Sequence, residues 1–258
     1  MKGTKALGPA VMLFLALGAP LPDALAGVTS VTSCVTITKS GSYLVSQVLK
    51  HNGDCIKVQV DFVTIDLGGF MIKGNGTGKA VTDNGTSRRG IIVRNGMISS
   101  FQTGISFATG SSPGDVFENL SISDTSDTGI SAGPGSIIHN NTLDQTGSTA
   151  VTAGAGSLVS GNTITDTGGA GIIADDASIV KDNAVTDGSA VGIIAAAGST
   201  LTGNTVTGNA TRGLSITCPS TVVENTATDN PPGCTPMVNC FNLVLTGSGC
   251  TNANNTAP

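Results

Sequence analysis

The chain has no tryptophan and one tyrosine, and aromatic residues make up only 3% of its 258 positions. None of them lies between Glu118 and Cys240, so that stretch has no aromatic platform for a long sugar groove. Charge is also scarce, at 11% of residues, and the net charge of −5 gives no basic footprint for nucleic acid. No CxxC pair occurs and only His51 and His139 could assist a metal, which argues against a zinc site. After the first residues, no apolar run is long enough to cross a membrane. Gly, Ser, Thr, Asn and Ala are plentiful instead, with Val, Ile and Leu in short runs. That mixture suits many short strands and tight turns.

The N-terminus reads as an export signal, residues 1–26. Lys2 and Lys5 precede the apolar stretch Ala10 to Leu17, and Ala24-Leu25-Ala26 is a small-x-small cleavage site. Six cysteines follow: Cys34, Cys55, Cys218, Cys234, Cys240 and Cys250. An even count after an export signal argues for disulfides. The N-terminal pair Cys34–Cys55 is expected. The other four leave their pairing open, with Cys218–Cys250 and Cys234–Cys240 as the working choice.

A repeat of 21 residues dominates the second half. Blocks start at Gly129, Ala150, Gly171, Gly192 and Gly213. One column holds Ser136, Ser157, Ser178, Ser199 and Ser220; another holds Asn141, Asn162, Asn183, Asn204 and Asn225. Three columns are apolar: Ile130 to Leu214, Ile138 to Val222, and Leu143 to Ala227. Three inward positions per repeat imply three short strands per coil. A single coil cannot bury its apolar face, so coils stack into a solenoid with one continuous core. The Asn column is expected at a bend, because Asn tolerates left-handed backbone angles and stacked amides hydrogen-bond along the stack. Asn95 and Asn119 extend that column with irregular spacing, 24 and 22 residues before the next rung. Residues 27–60 are expected to form a cap and first coil, 61–233 the coils, and 234–258 the closing cap. Caps shield the strand edges an open coil would offer to other chains.

The segments SGSYLVSQVL, VTIDLGGFMIKG, GIIVRNGMISSF, the repeated GNTxT and the ending TGSGCTNANNTAP carry a resemblance. The chain resembles the bacterial right-handed parallel β-helix proteins with the pectin-lyase-like fold. The resemblance covers nearly all of the chain after the signal. It implies an all-β fold, right-handed coils and a secreted, periplasmic or cell-surface location. It does not imply one activity, since the fold hosts lyases, polygalacturonases, epimerases and phage tailspikes.

Two weak groups of candidate catalytic residues stand out. Asp175 and Asp176 form an adjacent carboxylate pair, but their columns hold Gly, Ala, Pro, Thr and Cys. An isolated pair of this kind reads as a solvated turn. Arg94 falls beside Glu118 when Asn95 is aligned with Asn119, and the plain reading is a surface ion pair. His139 stacks with Ser160 and Lys181, with no acid expected in its column. Asp144, Asp166, Asp187 and Asp229 recur near bends; one carboxylate per coil is poor coordination for calcium, which remains the one cofactor to consider. Phe101, Phe107 and Phe117 leave the N-terminal coils as the face on which a carbohydrate is expected. The residues favour a non-catalytic exported scaffold or binding protein, with polysaccharide or a cell-surface component as partner. The alternative is a carbohydrate-active lyase, hydrolase or epimerase acting on acidic polysaccharide. Nothing in the sequence fixes the oligomeric state.

Overall fold

Short alternating runs such as Ile137-Ile138-His139 and Thr163-Ile164-Thr165 can bury one side chain and expose its neighbours, which is the pattern of a strand. In the computed structural model, which describes residues 27–107, 114–230 and 242–257, such runs form 28 strands and no helix. The proposed signal segment, Cys234 and Cys240 lie outside the described residues. The strands stack coil on coil into an 18-stranded and a 10-stranded sheet, and neighbouring strands run parallel. The larger sheet holds two strand rows per coil, so each coil supplies three strands. In Ile92–Ser99 and Val116–Thr125 the two rows run through as one bent strand.

The three apolar columns face inward. Ile138, Val159, Val180, Leu201 and Val222 are all fully buried, as are Ile130 and Leu143 with the next three members of their columns. Each such side chain contributes roughly 1.5–3 kcal/mol of burial. Ile179, one residue from Val180, is 45% exposed, as strand alternation requires. In the N-terminal coils the same column holds Phe117, paired in register with Val93 and Ile138. Phe101, Phe107 and Phe117 are therefore core residues with no exposed surface, not part of a carbohydrate face. Phe107 and Phe117 meet at 5.6 Å between ring centres.

The asparagine ladder is present, with one correction of position. The Asn141 side-chain oxygen accepts the Leu120 amide at 3.0 Å, and its Nδ2 donates to Phe117 O at 2.9 Å and Asn162 Oδ1 at 3.0 Å. The pattern repeats through Asn162, Asn183, Asn204 and Asn225 and ends on Asn255. The rungs from Asn141 to Asn225 are buried and do not take the left-handed conformation. That belongs to the residue before each rung: Asn140, Gly161, Asp182, Gly203 and Glu224, at φ between 56° and 66°. Asn95 and Asn119, at φ 60° and 54°, sit in this bend column and not in the ladder. Pairing of Glu118 with both Arg94 and His139 sets Asn119 level with Asn140. Gly96 and Leu120 occupy the ladder position in those coils; a Cβ at Gly96 would run into the Leu67 side chain and the Phe70 carbonyl. A second, shorter ladder joins Asn209, Asn230 and Asn242, starting from the Gly188 amide. The serine column also links coils, through Ser136 N to Ser157 Oγ at 3.1 Å and Ser199 N to Ser220 Oγ at 3.2 Å.

Disulfides sit near both ends of the described solenoid. Cys34–Cys55 joins adjacent coils 21 residues apart, and Cys218–Cys250 ties the last coil to the one before it. Residues 242–257 build a further coil rather than a separate lid: Leu243–Thr246 and Thr251–Ala253 are the final strands of the two sheets.

Candidate functional site

The outward face of one strand row carries a chain of paired charges. Because 93, 117, 138, 159 and 180 point inward, their neighbours on either side point out. One outward column runs Asp66, Arg94, Glu118, His139, Ser160 and Lys181, each in register with the next. Arg94 Nε lies 3.0 Å from Asp66 Oδ2, and an Arg94 terminal nitrogen lies 3.9 Å from Glu118 Oε1. The other Glu118 oxygen meets His139 Nε2 at 2.7 Å. Four charged or titratable groups on four successive coils thus form one chain of contacts. Burial works against the charge on Asp66, but the Gly68 amide, Asn95 and Arg94 outweigh it and hold the carboxyl below its ordinary value.

The expectation that His139 has no acid in its column is overturned. Glu118 is that acid, and counting Asn119 as a ladder residue had moved it one position away. Asp66 was missed as well, since 28 residues separate it from Arg94.

A second outward column runs beside the charged one: Ile92, Val116, Ile137, Leu158 and Ile179. All five are partly or well exposed, with Ile137 at 36% and Ile179 at 45%. Four inter-strand steps of about 4.8 Å make this row about 19 Å long. Contiguous apolar surface on an exterior face is a mark of binding.

The remaining candidates lie elsewhere. Asp175 and Asp176 are exposed in the turn between Ile172–Ala174 and Ile179–Lys181, and Asp175 N is bonded to the coil below at Ala153 O, 3.0 Å. Asp124, Asp166 and Asp187 line an open groove of about 540 Å³ with Gln145 and the threonines at 125, 146 and 167. These acids and Asp229 share a left-handed bend column, φ 49° to 57°, which accounts for their recurrence. Asp144 belongs to the neighbouring column, where it accepts from Thr165 Oγ1 at 2.6 Å. Among the described residues, no three His, Cys, Asp or Glu side chains converge where a metal ion could be held.

A stack of parallel coils with an asparagine ladder and an outward row of paired charges defines a β-helix protein. The chain belongs to the right-handed β-helix region family, whose profile matches residues 32–178 and 84–257. No curated protein matches it. Among solved structures, the A-module of the Azotobacter vinelandii mannuronan C-5 epimerase AlgE4 is 12% identical, with a TM-score of 0.58 over 73% of this chain and 69% of that one. The enzymatically active domain of bacteriophage CBA120 tailspike protein 2 is 14% identical, at 0.55 over 89% and 41%. XylC, solved in complex with xylose, is 15% identical, at 0.53 over 69% and 38%. The chain thus spans well under half of the XylC and tailspike chains, and these likenesses are to the fold.

Proposed function

We propose that the protein is an exported, non-catalytic glycan-binding scaffold, and that a glycan strand lies along the outward face from Ile92 to Lys181. The observation that carries this reading is the pairing of two parallel rows, one apolar and one polar, at the same coil spacing. A pyranose ring offers C–H groups on its faces and hydroxyls on its rim, so a chain of rings presents both kinds of surface along its length. With His139 neutral, Asp66, Arg94, Glu118 and Lys181 cancel, and the whole chain is net negative, at −5. A neutral glycan suits that balance better than an acidic one. Paired carboxylates for hydrolysis need a gap that admits the sugar and a water. Here Asp66 and Glu118 are two coils apart and the Arg94 guanidinium stands between them. The two disulfides fit an oxidising compartment outside the cytoplasm, the periplasm or the cell surface. The structural neighbours, one bound to xylose and one an epimerase of mannuronan, fit a carbohydrate partner.

The test is electrophoresis of the purified protein through gels containing neutral or acidic polysaccharides. Retardation by a neutral glycan is expected, and it should disappear when Ile137 and Leu158 are both changed to Asp. Equal migration in every gel, or binding untouched by that double change, would overturn the proposal. One contact favours a second reading. The 2.7 Å bond between His139 and Glu118 could orient an imidazole for proton abstraction, as a lyase or epimerase on acidic polysaccharide requires. Formation of unsaturated sugars from alginate or pectate, lost in His139→Ala, would establish it in place of the scaffold.

A further inference from the structure

Exposed apolar side chains are concentrated at one end of the solenoid. Among the described residues nine large ones are exposed, and seven of these precede residue 98. Four of the seven, Leu44, Val48, Phe70 and Met97, are 37% to 48% exposed and gather around a single bend. The bend is the turn from Leu67 to Phe70, closed by the Phe70 amide on Leu67 O at 2.8 Å, with Gly68 and Gly69 at φ 59° and 78°. A Cβ at Gly68 would lie 3.2 Å from Leu44 Cδ1 and 3.5 Å from Phe70 Cδ2, so both side chains stand against this turn. Past the bend, Met71 is in register with Met97, and Leu49 and Lys50 are in register with Ile72 and Lys73. Leu49, Ile72 and Ile98 are buried. Strand alternation therefore turns Val48, Met71 and Met97 outward as an apolar column, and Lys50 and Lys73 outward as a basic column on the same face. The two lysines are exposed on adjacent coils, and neither joins an ion pair among the described residues. Like charges held side by side across a sheet repel, and anions placed against them relieve that repulsion.

We propose that this corner docks on the surface of an anionic phospholipid bilayer. Phe70, Val48 and the two methionines enter the boundary between headgroups and acyl chains, and Lys50 and Lys73 meet the headgroup phosphates. Charge complementarity selects an anionic partner. Residues 27–107 carry eight Lys and Arg against four Asp and Glu, a net charge of +4. Residues 114–257 carry two against twelve, a net charge of −10. An anionic surface attracts the first coils and repels the later ones, so the whole solenoid is oriented with its first coils toward the lipid. Shape and chain direction select a bilayer. The apolar side chains project from an outer bend, which suits a flat and deformable surface. The residues before Gly27, with the apolar stretch Ala10 to Leu17, join the solenoid at this same end, two residues before its first strand. An export signal there holds these coils against the membrane as the chain crosses it. The docking does not rest on what the outward face from Ile92 to Lys181 binds.

The experiment is co-sedimentation of the full chain with vesicles of phosphatidylcholine mixed with phosphatidylglycerol, and with vesicles of phosphatidylcholine alone, at low and at high salt. Binding to the mixed vesicles is expected, and high salt should largely abolish it, because exposed charges are screened. Lys50→Glu combined with Lys73→Glu should weaken that binding roughly tenfold or more, since each cation near an anionic surface adds to the attraction. Val48→Ser combined with Met97→Ser removes the two most exposed apolar members of the corner and should weaken it as well. All four positions are exposed, so the melting temperatures should stay close to that of the starting protein, which separates lost docking from lost fold. Absence of binding, or equal binding to both kinds of vesicle, would overturn the proposal. So would binding untouched by either double change, which would assign it to the residues before Gly27. Self-association lost in the same variants, with no binding to vesicles, would make the occupant a second copy and overturn the lipid reading.

Discussion

Coils from Asn141 onward and coils before it hold their stacks together by different means. The later ones keep a 21-residue step as far as Asn225, with a last step of 30 residues to Asn255, and join coil to coil with two ladders of buried amides and a row of serines. Their outward strand faces are threonine-rich, and most of their acids, such as Asp166, Asp182, Asp187 and Asp229, lie at bends. The earlier ones step by 28, 24 and then 21 residues along the charged column. They have no ladder, fill the core with Phe101, Phe107 and Phe117, and carry Asp66, Arg94, Glu118 and the buried acids Asp83 and Asp115. An amide ladder demands that each rung sit level with the next, at hydrogen-bond distance. The sequence step can lengthen, as the 30 residues between Asn225 and Asn255 show, provided the rung keeps its register. Regular amide stacking and paired charges are concentrated in different parts of the same solenoid.

The largest effect that could break this comparison lies in the shared core. Val180→Asp places an unpaired charge at a fully buried rung, and a loss of more than about 4 kcal/mol is expected. Ile179→Asp, one residue away and 45% exposed, should cost far less. Thermal melts of the two variants measure the difference, and equal melting temperatures would contradict the assigned faces. Next comes the ladder. Asn183→Ala strips the acceptor from the Asn162 amide and side chain, and removes a donor from the Val159 carbonyl. Leaving several buried groups unpaired should cost about 3 kcal/mol or more. Asn119→Gly, in the bend column, should cost only a few tenths, since glycine accepts φ of 54° freely. Similar losses at both positions would mean that Asn119 bears ladder bonds after all.

Much of the fold was legible because the apolar, serine and asparagine columns recur at one period. The errors also have a single physical source. In Asn140-Asn141 the first residue makes the left-handed bend and the second makes the ladder. The earlier coils have one Asn each, Asn95 and Asn119, and spacing alone does not say which of the two roles it fills. Choosing the ladder slipped the register by one, and in a strand a slip of one exchanges the two faces. That slip separated Glu118 from His139 and left a four-coil network looking like one ion pair. The buried acids were illegible for another reason: Asp83 and Asp115 lie in or beside irregular loops, and no column predicts their burial. The second ladder, Asn209 and Asn230, did carry a 21-residue signal, but it starts too late in the chain to form a column in the earlier blocks.

A smaller effect tests whether the charged column is structural. Arg94→Ala removes contacts to both Asp66 and Glu118, whose side chains, like that of Arg94, are partly exposed to solvent. Pairs of this kind contribute about 1 kcal/mol or less, so the melting temperature should drop only slightly. Asp66 loses a partner that favours its charge, so its carboxyl should titrate higher in the variant. A loss as large as that of Asn183→Ala would make the column part of the scaffold and weaken its claim as a binding face.

The smallest effect is expected at the carboxylate pair Asp175 and Asp176. Both are exposed, their turn is held to neighbouring coils by backbone bonds from Asp175 N and to Asp176 O, and those bonds survive any change of side chain. Asn favours the same turn conformations as Asp, so the double change to Asn should leave the stability within about 0.5 kcal/mol of the starting protein. Glycan retardation should be unchanged too, because the turn lies off the face from Ile92 to Lys181. The result is informative in either direction. If binding weakens with no loss of stability, the glycan passes over the turn as well as the strand row. If any polysaccharide cleavage is detected and this double variant abolishes it, the chemistry sits in the regular half. The division between a regular half and an N-terminal half that carries the paired charges would then fail.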